Sequence, residues 1–136
     1  MEELKLEAKK ENLDKVNAFI DGFLENNGCS MKAQMKIDLA TEEIFVNIAQ
    51  YSYAPGTGDA VIQLALSDDG SSVEITFIDS GIPYDPLAKE DPDITLSSEE
   101  RQIGGLGIFL IKQYMDDVRY KFEDGQNKLT IVKKLA

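Results

Sequence analysis

Gln102-Ile103-Gly104-Gly105-Leu106-Gly107-Ile108 runs directly into an apolar helical pattern. Three glycines in four positions remove the Cβ atoms that would hold a ligand away from the backbone. A helix that begins there turns unpaired N–H groups and the positive end of its dipole toward whatever occupies the loop. That combination suits a phosphate. The same glycines also suit a tight loop before a helix, so the reading depends on what precedes them.

Working outward, residues 108–115 carry Ile108, Leu110, Ile111 and Met115, which predicts a helix from Gly107 to Met115. Upstream, Leu13, Val16, Phe19, Ile20, Phe23 and Leu24 recur at helical spacing, and Asn26-Asn27-Gly28 reads as a stop. Ser30 is placed to cap a second helix carrying Met31, Met35, Leu39, Ala40, Ile44, Phe45 and Ile48, with Pro55-Gly56-Thr57-Gly58 ending it. Residues 4–8, 60–67, 73–79, 118–122 and 129–135 read as strands, with hairpin signals at Asp68-Asp69-Gly70-Ser71 and Asp124-Gly125. Between about 82 and 103 there is no periodicity, three prolines and many acids, the pattern of a lid. The expected fold is one domain over 1–136. It is an α/β two-layer sandwich, with a mixed, mostly antiparallel sheet of five strands and three helices on one face.

Composition narrows the chemistry. The net charge is -11, from 25 acids against 14 bases, a surface that repels nucleic acid and anionic membrane. A nucleotide would therefore need local donors and a divalent cation. There is no histidine. That excludes Ser-His-Asp and Cys-His catalysis, histidine zinc sites and a phosphohistidine relay. The single Cys29 makes no internal disulfide and fits a reducing cytoplasm. No window approaches a membrane span, and the N-terminus lacks a signal-peptide layout.

Glu43 and Asn47 stand four residues apart and share one helix face. A carboxylate and an amide oxygen so placed suit Mg²⁺ with its waters, or orientation of an attacking hydroxyl; a solvated helix face is the plainer alternative. Phe77-Ile78-Asp79-Ser80-Gly81 is an apolar strand ending in an acid and a glycine. Asp79 there is a turn former, or an acceptor for an exocyclic amine with Gly81 admitting a flat ring.

Helix Glu-x-x-x-Asn, strand-end Asp-x-Gly, a long lid and then Gly-Gly-x-Gly opening a helix resembles, in that order, the Bergerat ATP-binding fold of the GHKL ATPases. Within it the chain looks most like the small bacterial anti-sigma-factor type serine-protein kinases. The resemblance covers nearly the whole length, and Asp79-Ser80-Gly81-Ile82-Pro83-Tyr84-Asp85-Pro86 stands as its first glycine box.

The resemblance implies ATP and Mg²⁺ as cofactors. Asn47 would coordinate the metal and Glu43 would be the catalytic base. Asp79 would accept from the adenine amine and Gly81 would flank the ring. Gly104, Gly105, Leu106 and Gly107 would line the triphosphate, Arg101 would reach the γ-phosphate, and Thr130 would contact adenine. Pro83 replaces a second glycine and Tyr51 stands where many relatives carry histidine. The implied activity is γ-phosphoryl transfer to a serine of an anti-anti-sigma (STAS-type) partner, with a sigma factor as second partner. A cytoplasmic homodimer, without nucleic acid or membrane, is implied as well. The alternative is a nucleotide-gated binding module without phosphotransfer, for which the six acids against two bases at positions 85–101 argue. A purely structural domain would require the three motifs to coincide by chance. A histidine-kinase catalytic domain would lack both its phospho-accepting histidine and its dimerisation helices.

Overall fold

The structure, a computed structural model, describes residues 1–88 and 105–136. Arg101, Gly104 and most of the segment read as a lid lie outside the described residues. The element order is β1 (Glu2–Glu7), α1 (Leu13–Asn26), α2 (Met31–Asn47), β2 (Asp59–Leu66), β3 (Ser72–Asp79), α3 (Gly105–Tyr114), β4 (Asp117–Glu123) and β5 (Gln126–Lys134).

The strands form one sheet in the order β1-β2-β3-β5-β4. All four pairings are antiparallel, in keeping with the mostly antiparallel sheet expected. The reason lies in the connections. Two helical passes separate β1 from β2, so the chain returns reversed, and tight hairpins join β2 to β3 and β4 to β5.

Alternation along the strands sends one set of side chains under the helices. Ala60, Ile62, Leu64, Val73, Ile75, Phe77, Leu129 and Ile131 are buried there. They meet Val16, Ile20 and Leu24 of α1, Ile37, Ile44 and Phe45 of α2, and Ile108 and Ile111 of α3. Each larger side chain so covered contributes roughly 1.5–3 kcal/mol.

Local chemistry sets the boundaries. The Ser30 hydroxyl accepts from the Ala33 N–H at 3.1 Å, capping α2 as its sequence predicts. Gly28, at φ 71°, turns the chain after α1. Asp124 and Gly125 both take positive φ, 55° and 76°, the geometry of a two-residue hairpin turn. That turn pairs Glu123 with Gln126, and the register carried onward sets Asn127 beside Asp79.

α2 does not run unchanged to the proline-glycine stretch. Its α-helical hydrogen bonding ends at Asn47 and widens into a π turn over Ile48–Ser52. Such turns re-aim side chains and backbone, and here the turn meets the end of β3.

Candidate functional site

A cavity of about 390 Å³ opens between α2, its π turn, α3 and the ends of β3 and β5. Ile44, Ile48, Phe77, Ile108 and Leu129 supply apolar walls, with Ile82, Tyr84 and Pro86 on the segment after β3. Asn47, Tyr51, Ser52, Asp79, Tyr120 and Asn127 are its polar members. The size and the mostly apolar lining with a few converging polar groups are those of a small-molecule site.

Asp79 forms the floor. As the last residue of β3 it is only 5% exposed, and Asn127 beside it is 7% exposed. Asp79 Oδ1 accepts from the Gly81 N–H at 2.9 Å and from Asn127 Nδ2 at 3.0 Å. Among the described residues no donor reaches Oδ2. The carboxylate is thus held in one orientation by two bonds on one oxygen, and the other oxygen remains an acceptor.

The Asn127 amide is used at both ends. Nδ2 donates also to the Ile82 carbonyl at 2.9 Å, while Oδ1 accepts from the Tyr84 N–H at 3.1 Å and from the Tyr120 hydroxyl. Burial pushes the Tyr120 phenol above its ordinary value, so it stays a donor at neutral pH.

Gly81 is required by a close approach. An added Cβ would overlap the Ser52 carbonyl, to which the Ile82 N–H donates at 3.1 Å. It does not line the cavity itself, so its place is to dock the π turn and to hold Asp79 through its N–H. Tyr53 fastens the same corner. Its hydroxyl donates to the Asp59 carbonyl at 2.6 Å and accepts from the Ser80 N–H at 2.7 Å.

Asn47, another lining residue, donates through Nδ2 to Glu43 Oε1 at 3.3 Å. The same Glu43 oxygen lies against Gly107 in the first turns of α3, where a Cβ would overlap it. Three of the residues singled out by motif, Glu43, Asn47 and Gly107, are therefore in one place. A carboxylate at a helix N-terminus is favourable, and a phosphate there would meet the same dipole. Gly105 and Leu106 form the beginning of α3.

The fit to a divalent cation follows from the donor set. The described residues hold no cluster of three Cys, Asp or Glu able to bind a metal by themselves. With its Nδ2 committed to Glu43, Asn47 presents Oδ1, a hard oxygen ligand of the kind Mg²⁺ takes together with phosphate oxygens and water.

Thr130 is a correction. β5 buries Asn127, Leu129 and Ile131 under the helices, and Thr130 falls on the opposite face, where its hydroxyl is 2.9 Å from that of Thr76. The strand period of two makes the two positions exclusive. Asn127, which no motif marks, holds the place beside Asp79. Its signal was an amide in the apolar phase of the strand, two residues after a hairpin turn.

Over residues 6–133 the chain matches the family described as the histidine kinase-like ATPase domain. It is 30% identical over 107 residues to the serine/threonine-protein kinase BtrW of Bordetella bronchiseptica, which covers 79% of this chain and 75% of that protein. It is 28% identical over 131 residues to the serine-protein kinase RsbW of Bacillus cereus, covering 93% and 81%. Among solved structures, that of the RsbU and RsbW domains of Rv1364c from Mycobacterium tuberculosis shares its fold. The TM-score is 0.67 at 19% identity, over 99% of this chain and 33% of that one.

Proposed function

Since the chain belongs to the histidine kinase-like ATPase domain family, we propose that it binds ATP in the Asp79 and Asn127 cavity and transfers the γ-phosphate to a serine hydroxyl of a protein. The observation that carries this reading is Asp79 at the floor of an apolar cavity, one oxygen saturated and the other open. An exocyclic amine is the complement of that open oxygen. Ile44, Ile48 and Ile108 offer apolar faces to a purine.

From the floor, the triphosphate runs toward Asn47 and the first turn of α3. Asn47 Oδ1 would hold Mg²⁺, which would supply charge neutralisation. Glu43 takes the proton of the serine hydroxyl, a contribution of about 10²–10⁴-fold. The serine oxygen bonds to the γ-phosphorus as the β–γ bridging bond breaks, and ADP leaves. Phosphoryl transfer asks mainly for such positioning and charge stabilisation.

The curated relatives named as serine-protein kinases support the activity. By the family resemblance, the acceptor is a STAS-type anti-anti-sigma protein and a sigma factor competes for the same regulator. The working form is a cytoplasmic homodimer. Met31, Met35 and Leu39 make an exposed apolar stripe on α2 that a second protein surface would cover. Among the described residues no helix is long and apolar enough to cross a membrane.

The test is transfer of labelled γ-phosphate from ATP to a STAS-type protein. Wild type labels the partner and Glu43→Ala loses at least ~100-fold of the rate. Full labelling by the variant would remove Glu43 from the role of base. A second reading, nucleotide-gated binding without transfer, is favoured by the Glu43 carboxylate lying on α3 where phosphate oxygens would compete with it. Tight ATP binding with no labelled partner and no hydrolysis would establish that reading instead.

A further inference from the structure

One side chain joins the base-recognising floor to a wall of the cavity. Asn127 Nδ2 donates to Asp79 Oδ1 at 3.0 Å and to the Ile82 carbonyl at 2.9 Å. Its Oδ1 takes the Tyr84 N–H at 3.1 Å and the Tyr120 hydroxyl. Ile82 and Tyr84 are lining residues of the cavity, on a segment with no strand partner of its own. The Ile82 N–H also reaches the Ser52 carbonyl, at 3.1 Å. One amide, itself nine-tenths buried, therefore bonds both the acceptor and the wall and ties them together.

We propose that Asn127 is a positioning residue for base selection, fixing the Asp79 acceptor against the wall of residues 82–84 so that a 6-amino purine is preferred over a 6-oxo purine. The inference rests on the nucleotide reading of the cavity and deepens it. The chemistry is a matter of orientation. An exocyclic amine donates to Asp79 Oδ2, whereas a 6-oxo group turns an oxygen toward that carboxylate. Discrimination requires the carboxylate to stay put when the wrong base arrives. Were Asp79 free to rotate, it could turn Oδ1 and Oδ2 away from the oxo group and admit a water between them, and both purines would be accepted. Nδ2 of Asn127 opposes that rotation together with the Gly81 N–H, as the side-chain member of the pair. Because the same nitrogen holds the Ile82 carbonyl, the wall cannot retreat to admit the water either. A site built to pair a polar group rejects its mismatch strongly only when the site is rigid.

The experiment is calorimetric titration of the full chain with MgATP and with MgITP, which differ at the 6-position, on wild type, Asn127→Ala and Asn127→Asp. Hydrogen exchange at the Tyr84 N–H is followed in parallel. Wild type is expected to favour ATP by about 100-fold. Asn127→Ala should weaken ATP by about 10-fold or more and narrow the ATP-to-ITP ratio to within a few-fold, with faster exchange at Tyr84. Asn127→Asp keeps an acceptor for Tyr84 and Tyr120 but loses the donor. It should narrow the ratio too, and it serves if the alanine variant does not fold. A purely structural asparagine would weaken both nucleotides in proportion. A ratio preserved in both variants while wild type binds ATP overturns the inference and leaves the nucleotide reading standing. If wild type binds neither nucleotide, the reading of the cavity falls and this inference with it.

Discussion

At the cavity, the buried oxygens of Asp79 and Asn127 meet N–H donors from Gly81 and Tyr84 and a phenol from Tyr120. Between α1 and α2, Asn17, Asp21, Asp38 and Thr41 each keep a buried side-chain oxygen with no hydrogen-bond partner among the described residues. Both clusters are polar groups packed within one small domain, but in the first only Asp79 Oδ2 is left open, whereas in the second each of these oxygens lacks a partner. The difference comes from the backbone around them. Strand ends and the turn after β3 have N–H groups to give, whereas the N–H groups inside α1 and α2 are used within the helices themselves. Two helices that face each other across these side chains leave the four oxygens to one another, with no free backbone N–H to meet them.

Within this seam the Asp38 carboxyl is perturbed. Burial first, and then the neighbouring Asp21 carboxyl, push the Asp38 carboxyl up to about 7; Glu25 adds to it. Nearby, burial and then Asp38 push the Cys29 thiol up as well, which keeps it a poor nucleophile. The cluster at the cavity is the one to which the proposed function assigns a ligand. Preorganisation is expensive in a low-dielectric site unless every partner is present.

Four substitutions test this contrast. The largest effect is expected at the cavity cluster, where Asp79→Asn replaces the open acceptor oxygen by a group that no longer carries charge. MgATP affinity should fall by about 100-fold, close to 3 kcal/mol, with a small change in Tm. Unchanged affinity in calorimetry would mean that the cluster is not used for the base. Next is Gly81→Ala, whose Cβ overlaps the Ser52 carbonyl. Overpacking against backbone should cost roughly 1–3 kcal/mol in urea unfolding, and a variant as stable as wild type would deny the close approach its role.

The third is Asp38→Asn in the unsatisfied seam. With its carboxyl raised in the folded state, the folded chain holds a proton that the unfolded chain has released above about pH 4. Wild-type stability should therefore fall as pH rises from about 4 to about 7 and level off above. The variant should lose that slope and gain on the order of 1 kcal/mol at pH 8, after allowance for solvent screening. A pH profile of Tm that is parallel in the two proteins would refute this. Smallest is Thr41→Val, which removes a fully buried hydroxyl without a partner while keeping the branched shape. Stability should stay equal or rise by a few tenths of a kcal/mol; a loss above about 1 kcal/mol would show that the hydroxyl is bonded in solution.

Periodicity and turn chemistry carried the helices, the strands and both hairpins, because apolar spacing and glycine at positive φ are local properties. The pairing of Glu43 with Asn47 was legible for the same reason, being one helical turn. The π turn at Ile48–Ser52 was not, since its cause is docking against Gly81 and Ile82, thirty residues further along the chain. Thr130 was placed by motif analogy and lies on the other face, a one-residue matter of phase that strand register alone resolves.

The amino-acid sequence by itself determined which segments are amphipathic, where they turn, and which chemistry is excluded by an acidic chain without histidine. These follow from near neighbours and from composition. The meeting of Asp79 with Asn127, and of Glu43 with Gly107, arose only when sheet register and helix packing brought together residues that are 48 and 64 positions apart. Side chains that far apart have no common local rule. Their contact is a consequence of which faces the whole chain had to bury.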